Sequence, residues 1–261
     1  MFAWLRNLFA APEPELKFTI SVEGGDWLRR AAPPEEERDA FDVQPAWLGA
    51  LKPLELAANI AYTDRTGLRT RRRIITRGYG SPYPNEGTVI LAHCELRGAN
   101  RTFVVSRIDE FIDAETGEVV NAIDSYLDDR YAASPAGRAD DAFDRLGDEL
   151  GILVFGIRAA GSITRPKRAV LSSFIDAAVA DPEITELVVE LARGTSLSQR
   201  GYEAALRRVA GKLAAAARGE LMGAIRAGAR SPSSKPFAEA AVKSAERLLL
   251  KPAAPAKSPD R

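Results

Sequence analysis

The sequence predicts an α+β chain in two parts, an antiparallel strand-rich region followed by an all-helical one. Three observations carry this. Between Ile60 and Ile108 short strand-like runs alternate with turns, and from Phe143 onward apolar residues recur at helical spacing, so the hydrophobic period changes from two to 3.6 near Asp128. The third is size: 261 residues suffice for two modest domains, each burying its own core. Apolar residues make up 46% and charged residues 28%, an ordinary globular balance that excludes a largely disordered chain.

Residues 1–49 read as a preface to the first domain. Met1 to Phe9 form a short amphipathic helix with Leu5, Leu8 and Phe9 on one side. It is too short to span a membrane, and Pro12 and Pro14 follow too soon for a secretory signal. Docking on the protein's own surface or lying at a bilayer surface are the two uses open to it. Leu16 to Val22 alternates like a strand and ends in the Gly24-Gly25-Asp26 turn. The proline- and glutamate-rich stretch Ala31 to Arg38 cannot bury enough apolar surface to order itself and reads as a linker. Trp47, Leu48, Leu51, Leu54 and Leu56 then lead into the strand-rich region and pack against it.

Within that region Arg69, Arg71 and Arg73 share one face of the strand Leu68 to Thr76, with Arg72 opposite. Three cations at period two make a phosphate row or, equally, a charged edge that guards against aggregation. A loop from Arg77 to Gly87, rich in glycine and proline and bearing Tyr79 and Tyr83, is of the kind that rims binding sites. The run from Arg101 to Ile108, taken as one strand, puts Arg101, Phe103, Val105 and Arg107 on one face. Spaced at roughly 7 Å, these residues can track a phosphate backbone while Phe103 stacks a base. The same row is also ordinary packing if Phe103 and Val105 point into the core with the arginine stems beside them.

The order Asn59 to Asp64, a Thr66-Gly67 turn, an arginine-rich strand ending Arg73-Ile74-Ile75, then Val89 to Gly98 and Arg101-Thr102-Phe103 to Arg107-Ile108 resembles the WYL domain family. That resemblance implies a small Sm-like or SH3-like antiparallel β-barrel that binds nucleic acid or nucleotide-type ligands, commonly as the sensor of bacterial transcription regulators. The family's Trp-Tyr-Leu triplet falls on Thr88-Val89-Ile90 or Val89-Ile90-Leu91, so both aromatics are absent, and Val104 and Ser106 stand where an arginine and an aspartate are usual. Arg101, Phe103 and Arg107 match, and with Tyr62 and Arg73 they are the ligand-binding residues the resemblance implies. The DNA-reading helices with which such regulators commonly begin are not supplied by the residues before Ala50.

Acids prevail from Asp109 through Glu149, and an acidic segment lying against the arginine strand would neutralise it; an anionic partner is the alternative. After a Glu115-Thr116-Gly117-Glu118 turn, the helical half reads as one helix from Phe143 to Gly161 and a second capped by Thr164 with Pro166 in its first turn. A third opens at Asp181-Pro182 and ends at Gly194, a fourth opens at Ser198 and runs through Leu213, and two more cover about 220–229 and 236–250. The stretch Arg158 to Arg168, within a match over about 140–229, resembles the TerB family of tellurite-resistance proteins. That family implies an all-helical domain, in some members holding metal through acidic residues. Ala160 and Lys167 replace the aspartate and glutamate of its motif, so no metal site is expected there.

The expected layout is therefore 1–49 as helix, short strand and linker, 50–120 as the WYL-like barrel, 121–139 as an acidic linker, 140–250 as the TerB-like helical domain and 251–261 as a disordered tail. Catalysis finds little footing. The single histidine, His93, and the single cysteine, Cys94, are strand neighbours that point to opposite faces, so they cannot serve as base and nucleophile. One cysteine admits no internal disulfide, which fits a reducing cytoplasm, with Cys94 as a small buried hydrophobe. The expectation is a protein without catalytic residues or cofactor. One form is a cytoplasmic sensor whose barrel binds single-stranded nucleic acid or a nucleotide and couples it to the helical domain. The other is a stress-response adaptor, peripheral to a membrane through its amino-terminal helix, whose degenerate barrel binds only protein. Protein partners are expected in both, and the oligomeric state is left open.

Overall fold

The computed structural model describes residues 50–82, 87–230 and 236–250, so the expectations for the amino-terminal helix, the strand Leu16 to Val22, the linker, Trp47, Leu48, Tyr83 and the tail lie outside the described residues. The chain divides into two compact units, residues 1–131 and 132–261.

Among its described residues the first unit holds five antiparallel strands, β1 (Ala57–Thr63), β2 (Arg69–Gly80), β3 (Val89–Cys94), β4 (Ala99–Val104) and β5 (Ile108–Asp113). Their order in the sheet is β4-β3-β2-β1-β5: four strands meander, and the last returns beside the first. No ladder joins β4 to β5 among the described residues. Alternation decides the inner face, because Ala58, Ile60 and Tyr62 of β1 and Ile74 and Thr76 of β2 are buried. The turns are made by residues that tolerate positive φ, Gly67 at 83° between β1 and β2 and Gly98 at 61° between β3 and β4. In the first of these, Asp64 Oδ1 accepts the amides of Thr66 and Leu68 at 2.8 and 3.0 Å.

The sheet is strongly curled. Strands β1 and β4 stand three ladder spacings apart, about 14 Å in a flat sheet, yet the rings of Tyr62 and Phe103 meet edge to face with centroids 5.1 Å apart. A bulge in β2 between Thr76 and Gly78 gives the bend its place. At Gly78 an added Cβ would lie 3.0 Å from the Lys52 carbonyl, so the segment before β1 crosses this point in close contact. Thus β2 continues to Gly80 through what composition marks as loop, and Leu51, Leu54 and Leu56 are buried as expected.

Two expectations are corrected. The run Arg101 to Ile108 is not one strand: β4 stops at Val104, Val105–Arg107 form a 3-10 turn and Ile108 opens β5. Residues 121–139, expected as an acidic linker, are largely helical, and the division between the two units falls within them. Helix α1 (Ile123–Ala133) and the first turn of α2 (Pro135–Arg145) occupy them, Ser134 capping α2 by accepting the amide of Gly137 at 3.1 Å. The acids of this stretch are the solvated faces of helices, with Leu127 and Tyr131 turned inward.

Helices α3 (Gly147–Ala159), α4 (Arg165–Val179), α5 (Pro182–Gly194), α6 (Gln199–Lys212), α7 (Ala215–Gly228) and α8 (Pro236–Ala245) complete the second unit, the last continuing as a π-turn over Glu246–Leu250. Every residue of α3 from Leu150 to Ile157 is buried, so this helix is enclosed on all sides. Close approach is achieved by glycine: Gly156 faces Ile225 of α7, and a Cβ on Gly228 would sit 2.6 Å from Ile157 Cγ1. Phe155 stacks on Tyr202 at 4.2 Å and the Tyr202 hydroxyl donates to the Ala241 carbonyl, tying α6 and α8 to α3. Asp181 caps α5 and Ser198 caps α6 through their side chains, whereas Thr164 holds the cap position of α4 without its hydroxyl accepting a bond.

The glycines of α7 differ in a way that unfolding measurements can read. Gly228→Ala forces the Ile157 side chain aside and is expected to cost about 1–3 kcal/mol. Gly223→Ala meets nothing within 4 Å and should instead stabilise by about 0.5–1 kcal/mol through helix propensity.

Candidate functional site

Three arginines of β2 that sequence alternation places on one outward face are there, and each is answered by an acid. Arg69 Nε lies 3.1 Å from Asp109, Arg71 Nη2 3.3 Å from Glu110 and Arg73 Nε 3.3 Å from Glu95. Asp109 and Glu110 come from β5, the start of the acidic stretch, because β5 and β2 flank β1 on either side and long side chains reach across it. The outward face is thus internally neutralised. Exposed pairs of this kind contribute at most about 1 kcal/mol each.

The inward face holds two of the expected site residues, Tyr62 and Phe103. Phe103 is 1% exposed and Tyr62 7%, so both rings spend their faces on the core. The expectation that Phe103 offers a platform to a base is corrected: its ring is a core element of the curled sheet. Arg107, on the 3-10 turn, no longer shares a strand face with Phe103, while Arg101 remains on β4 two residues from it. Of the five expected residues, Tyr62 and Phe103 are in direct ring contact. Arg73 stands on the outer face in its ion pair.

The residue that joins the aromatic pair is Arg72. It is 7% exposed, its guanidinium carbon lies 5.8 Å from both ring centroids, and its Nε donates to Thr70 Oγ1 at 2.9 Å. The parity of β2 carries the signal for this, since Arg72 alternates with Thr70, Ile74 and Thr76 on the core face.

Helix α1 is fastened to the sheet by a second polar cluster. Asp128 Oδ1 accepts from Lys52 Nζ at 2.6 Å and from the Tyr79 hydroxyl at 2.7 Å, and the Lys52 ammonium sits 5.5 Å from the ring centroids of both Tyr79 and Tyr131. The lysine and tyrosine bonds hold the Asp128 carboxyl below its usual range, and burial together with Asp128 raises the Tyr79 phenol. At the end of β5 the buried Asp113 accepts the Tyr126 hydroxyl and the amides of Glu115 and Thr116. Burial opposes its ionisation, but these bonds prevail and its pKa is lowered, while burial and Asp113 push Tyr126 up to about 12. In both clusters the carboxylate is tied to hydroxyl, ammonium or amide donors of the same unit.

The helical unit carries a feature of another kind, an open groove of about 710 Å³ between α4 and α7. Its α4 wall is Ala169, Val170, Ser173, Phe174, Ala177 and Ala178; Ala217, Glu220, Gly223, Ala224 and Ala227 form the α7 wall, with Leu146, Glu149 and Leu213 completing the lining. The sequence does contain its signal, an alanine stripe at helical spacing on both helices, which periodicity alone cannot separate from an inward-packed face. Where the TerB-like motif would place acids, Ala160 is buried and the Lys167 ammonium donates to the Ile157 carbonyl at 3.3 Å, near the negative end of α3. Among the described residues no group of three or more potential metal ligands is brought together. None of their helices is long and apolar enough to cross a membrane.

No family model, curated protein or solved structure matches this chain. The site is therefore read from its own chemistry.

Two outcomes are expected for the sheet unit. Phe103→Ala should cost about 3–5 kcal/mol in a denaturant melt, whereas Arg71→Gln should change stability by less than about 1 kcal/mol. As to pH, Asp113 and Asp128 have folded pKa values below their unfolded ones, so their contribution is complete above about pH 4 and is lost as pH falls through the folded values. An acid melt of Asp128→Asn should accordingly be less steep than that of the wild type.

Proposed function

We propose that this protein is a non-catalytic adaptor whose helical unit takes up an apolar helix of a partner protein in the groove between α4 and α7. The groove carries the reading: an apolar channel walled by two helices, with small residues on both sides, is the form that admits a third helix at close range. Its length fits as well. Residues 169–178 and 217–227 each span about 13–15 Å of helix, enough for anchors at i, i+3 or i+4, and i+7.

In this reading the sheet unit is a degenerate Sm/SH3-like barrel of WYL type. Its meander with the last strand beside the first, its curl and the 3-10 turn before β5 support that assignment. The helical unit is TerB-like, supported by the restart of helix at Thr164-Arg165-Pro166 just beyond Gly161, whose φ is 113°. Buried rings and an arginine row already matched by Asp109, Glu110 and Glu95 leave a nucleotide little to gain, which favours the adaptor over the sensor. The absence of catalysis is supported by His93 and Cys94 lying on opposite sides of β3, Cys94 fully buried. A buried lone thiol suits a reducing cytoplasm, and the TerB-like assignment carries with it a place in a stress response.

A photo-crosslinking residue at Ala177, in the groove, should trap a discrete protein in cells, and one at Arg65, on the β1–β2 turn, should not. In parallel, single-stranded DNA, RNA and nucleotides titrated over a salt series should show no saturable binding. Saturable nucleotide binding that Arg107→Ala or Arg101→Ala weakens strongly would instead establish the sensor.

A further inference from the structure

The groove's charge says more about its occupant. Of its fourteen lining residues, two are glutamates, Glu149 and Glu220, and none is lysine, arginine or histidine. Elsewhere in the unit acids hold arginines: Asp148 pairs with Arg208 at 2.6 Å, Glu190 with Arg168 and Arg193 at 3.0 Å, and Glu246 with Arg226 at 2.8 Å. Glu149 and Glu220 form no ion pair among the described residues. Two unanswered carboxylates beside an apolar floor leave the site complementary to one sign of charge.

From this we infer that the occupant is a basic amphipathic helix of a partner protein, its apolar side on Val170, Phe174 and the alanines, and its lysines or arginines on Glu149 and Glu220. This rests on the adaptor reading and adds the partner's chemistry. An acidic helix of the same shape would set like charges beside these carboxylates, so the groove selects by repulsion as well as by attraction. Small residues supply the closeness: at Gly223 a Cβ would meet nothing within 4 Å, which leaves that part of the α7 wall open to an incoming side chain.

The experiment uses the full chain and two labelled synthetic helices of about 14 residues with the same leucine pattern, one filled out with lysine and the other with glutamate, followed by fluorescence anisotropy. The leucine-lysine peptide should bind saturably and the leucine-glutamate peptide at least about tenfold more weakly. Gly223→Leu should weaken the former by about tenfold or more while the thermal midpoint stays the same or rises, because the new side chain fills the groove and not the core. Ala177→Arg should discriminate against the lysine peptide and in favour of the glutamate one, and Glu149→Gln with Glu220→Gln should flatten the salt dependence.

Equal binding of the two peptides, or lysine-peptide binding untouched by Gly223→Leu and Ala177→Arg, would overturn the inference. So would preferential binding of a peptide of residues 1–10, or self-association abolished by Gly223→Leu, since each gives the groove another occupant. If the peptides fail while Ala177 still crosslinks a protein, the adaptor stands and only its partner's chemistry is refuted. If neither binds nor crosslinks, both readings fall.

Discussion

The contact of Tyr62 with Phe103, with Arg72 laid across both rings, is the constraint on which the sheet unit turns. It joins strands that a flat sheet would hold far apart, so it fixes the curl, and the curl fixes which side of β2 is wet. Arg72 goes inside because its parity is that of Ile74, and a guanidinium can be taken there only because two aromatic faces and the Thr70 hydroxyl replace part of its water. Arg69, Arg71 and Arg73 go outside by the same rule, onto a face where β5 and the β3–β4 turn present acids. A single alternation thus separates one buried cation from three neutralised ones, and neither set is left to serve an anionic ligand by itself.

The helical unit is organised around a helix that cannot be left exposed. Leu150 to Ile157 of α3 are apolar on every side, and glycines at 156 and 228 bring α7 against it. With their buried sides committed to that core, α4 and α7 turn outward faces built of alanine, valine, phenylalanine and glycine. Those faces would ordinarily be polar on a helix of this kind. Small residues cost little when exposed, since each carries little apolar area, so the unit can hold such a groove open without the aggregation hazard of a leucine-rich one.

Much of this was legible in the sequence. The change of period near Asp128 marks the passage from strands to helices, Asp181 and Ser198 cap where they should, and the turn at Thr66-Gly67 has the positive φ that its glycine allows. What could not be read follows from specific physics. The run Arg101 to Ile108 reads as one strand, and only the return of β5 to β1 requires the 3-10 turn that takes Arg107 off the Phe103 face. Residues 121–139 read as an acidic linker until Leu127 and Tyr131 of α1 and Ala139 of α2 are seen to be buried. Phe103 was ambiguous for a plainer reason, because a ring between two arginines is written the same way whether it faces a base or a tyrosine.

That ambiguity bears on the site itself. A ligand site made of arginines and aromatics must keep some of both unsatisfied in the empty protein, otherwise binding only exchanges one set of partners for another. Here the ion pairs on β2 and the closed Tyr62–Phe103 edge mean that a phosphate would have to displace carboxylates and a base would have to displace a core ring. The α4–α7 groove is in the opposite condition. Its alanines, half-buried Phe174 and two glutamates are open on the groove side, so a helix laid there would gain apolar burial and ion pairs without breaking any contact the fold relies on. The balance of gain against displacement, and not the density of arginines along the chain, is what moves the candidate interface from the sheet to the helices.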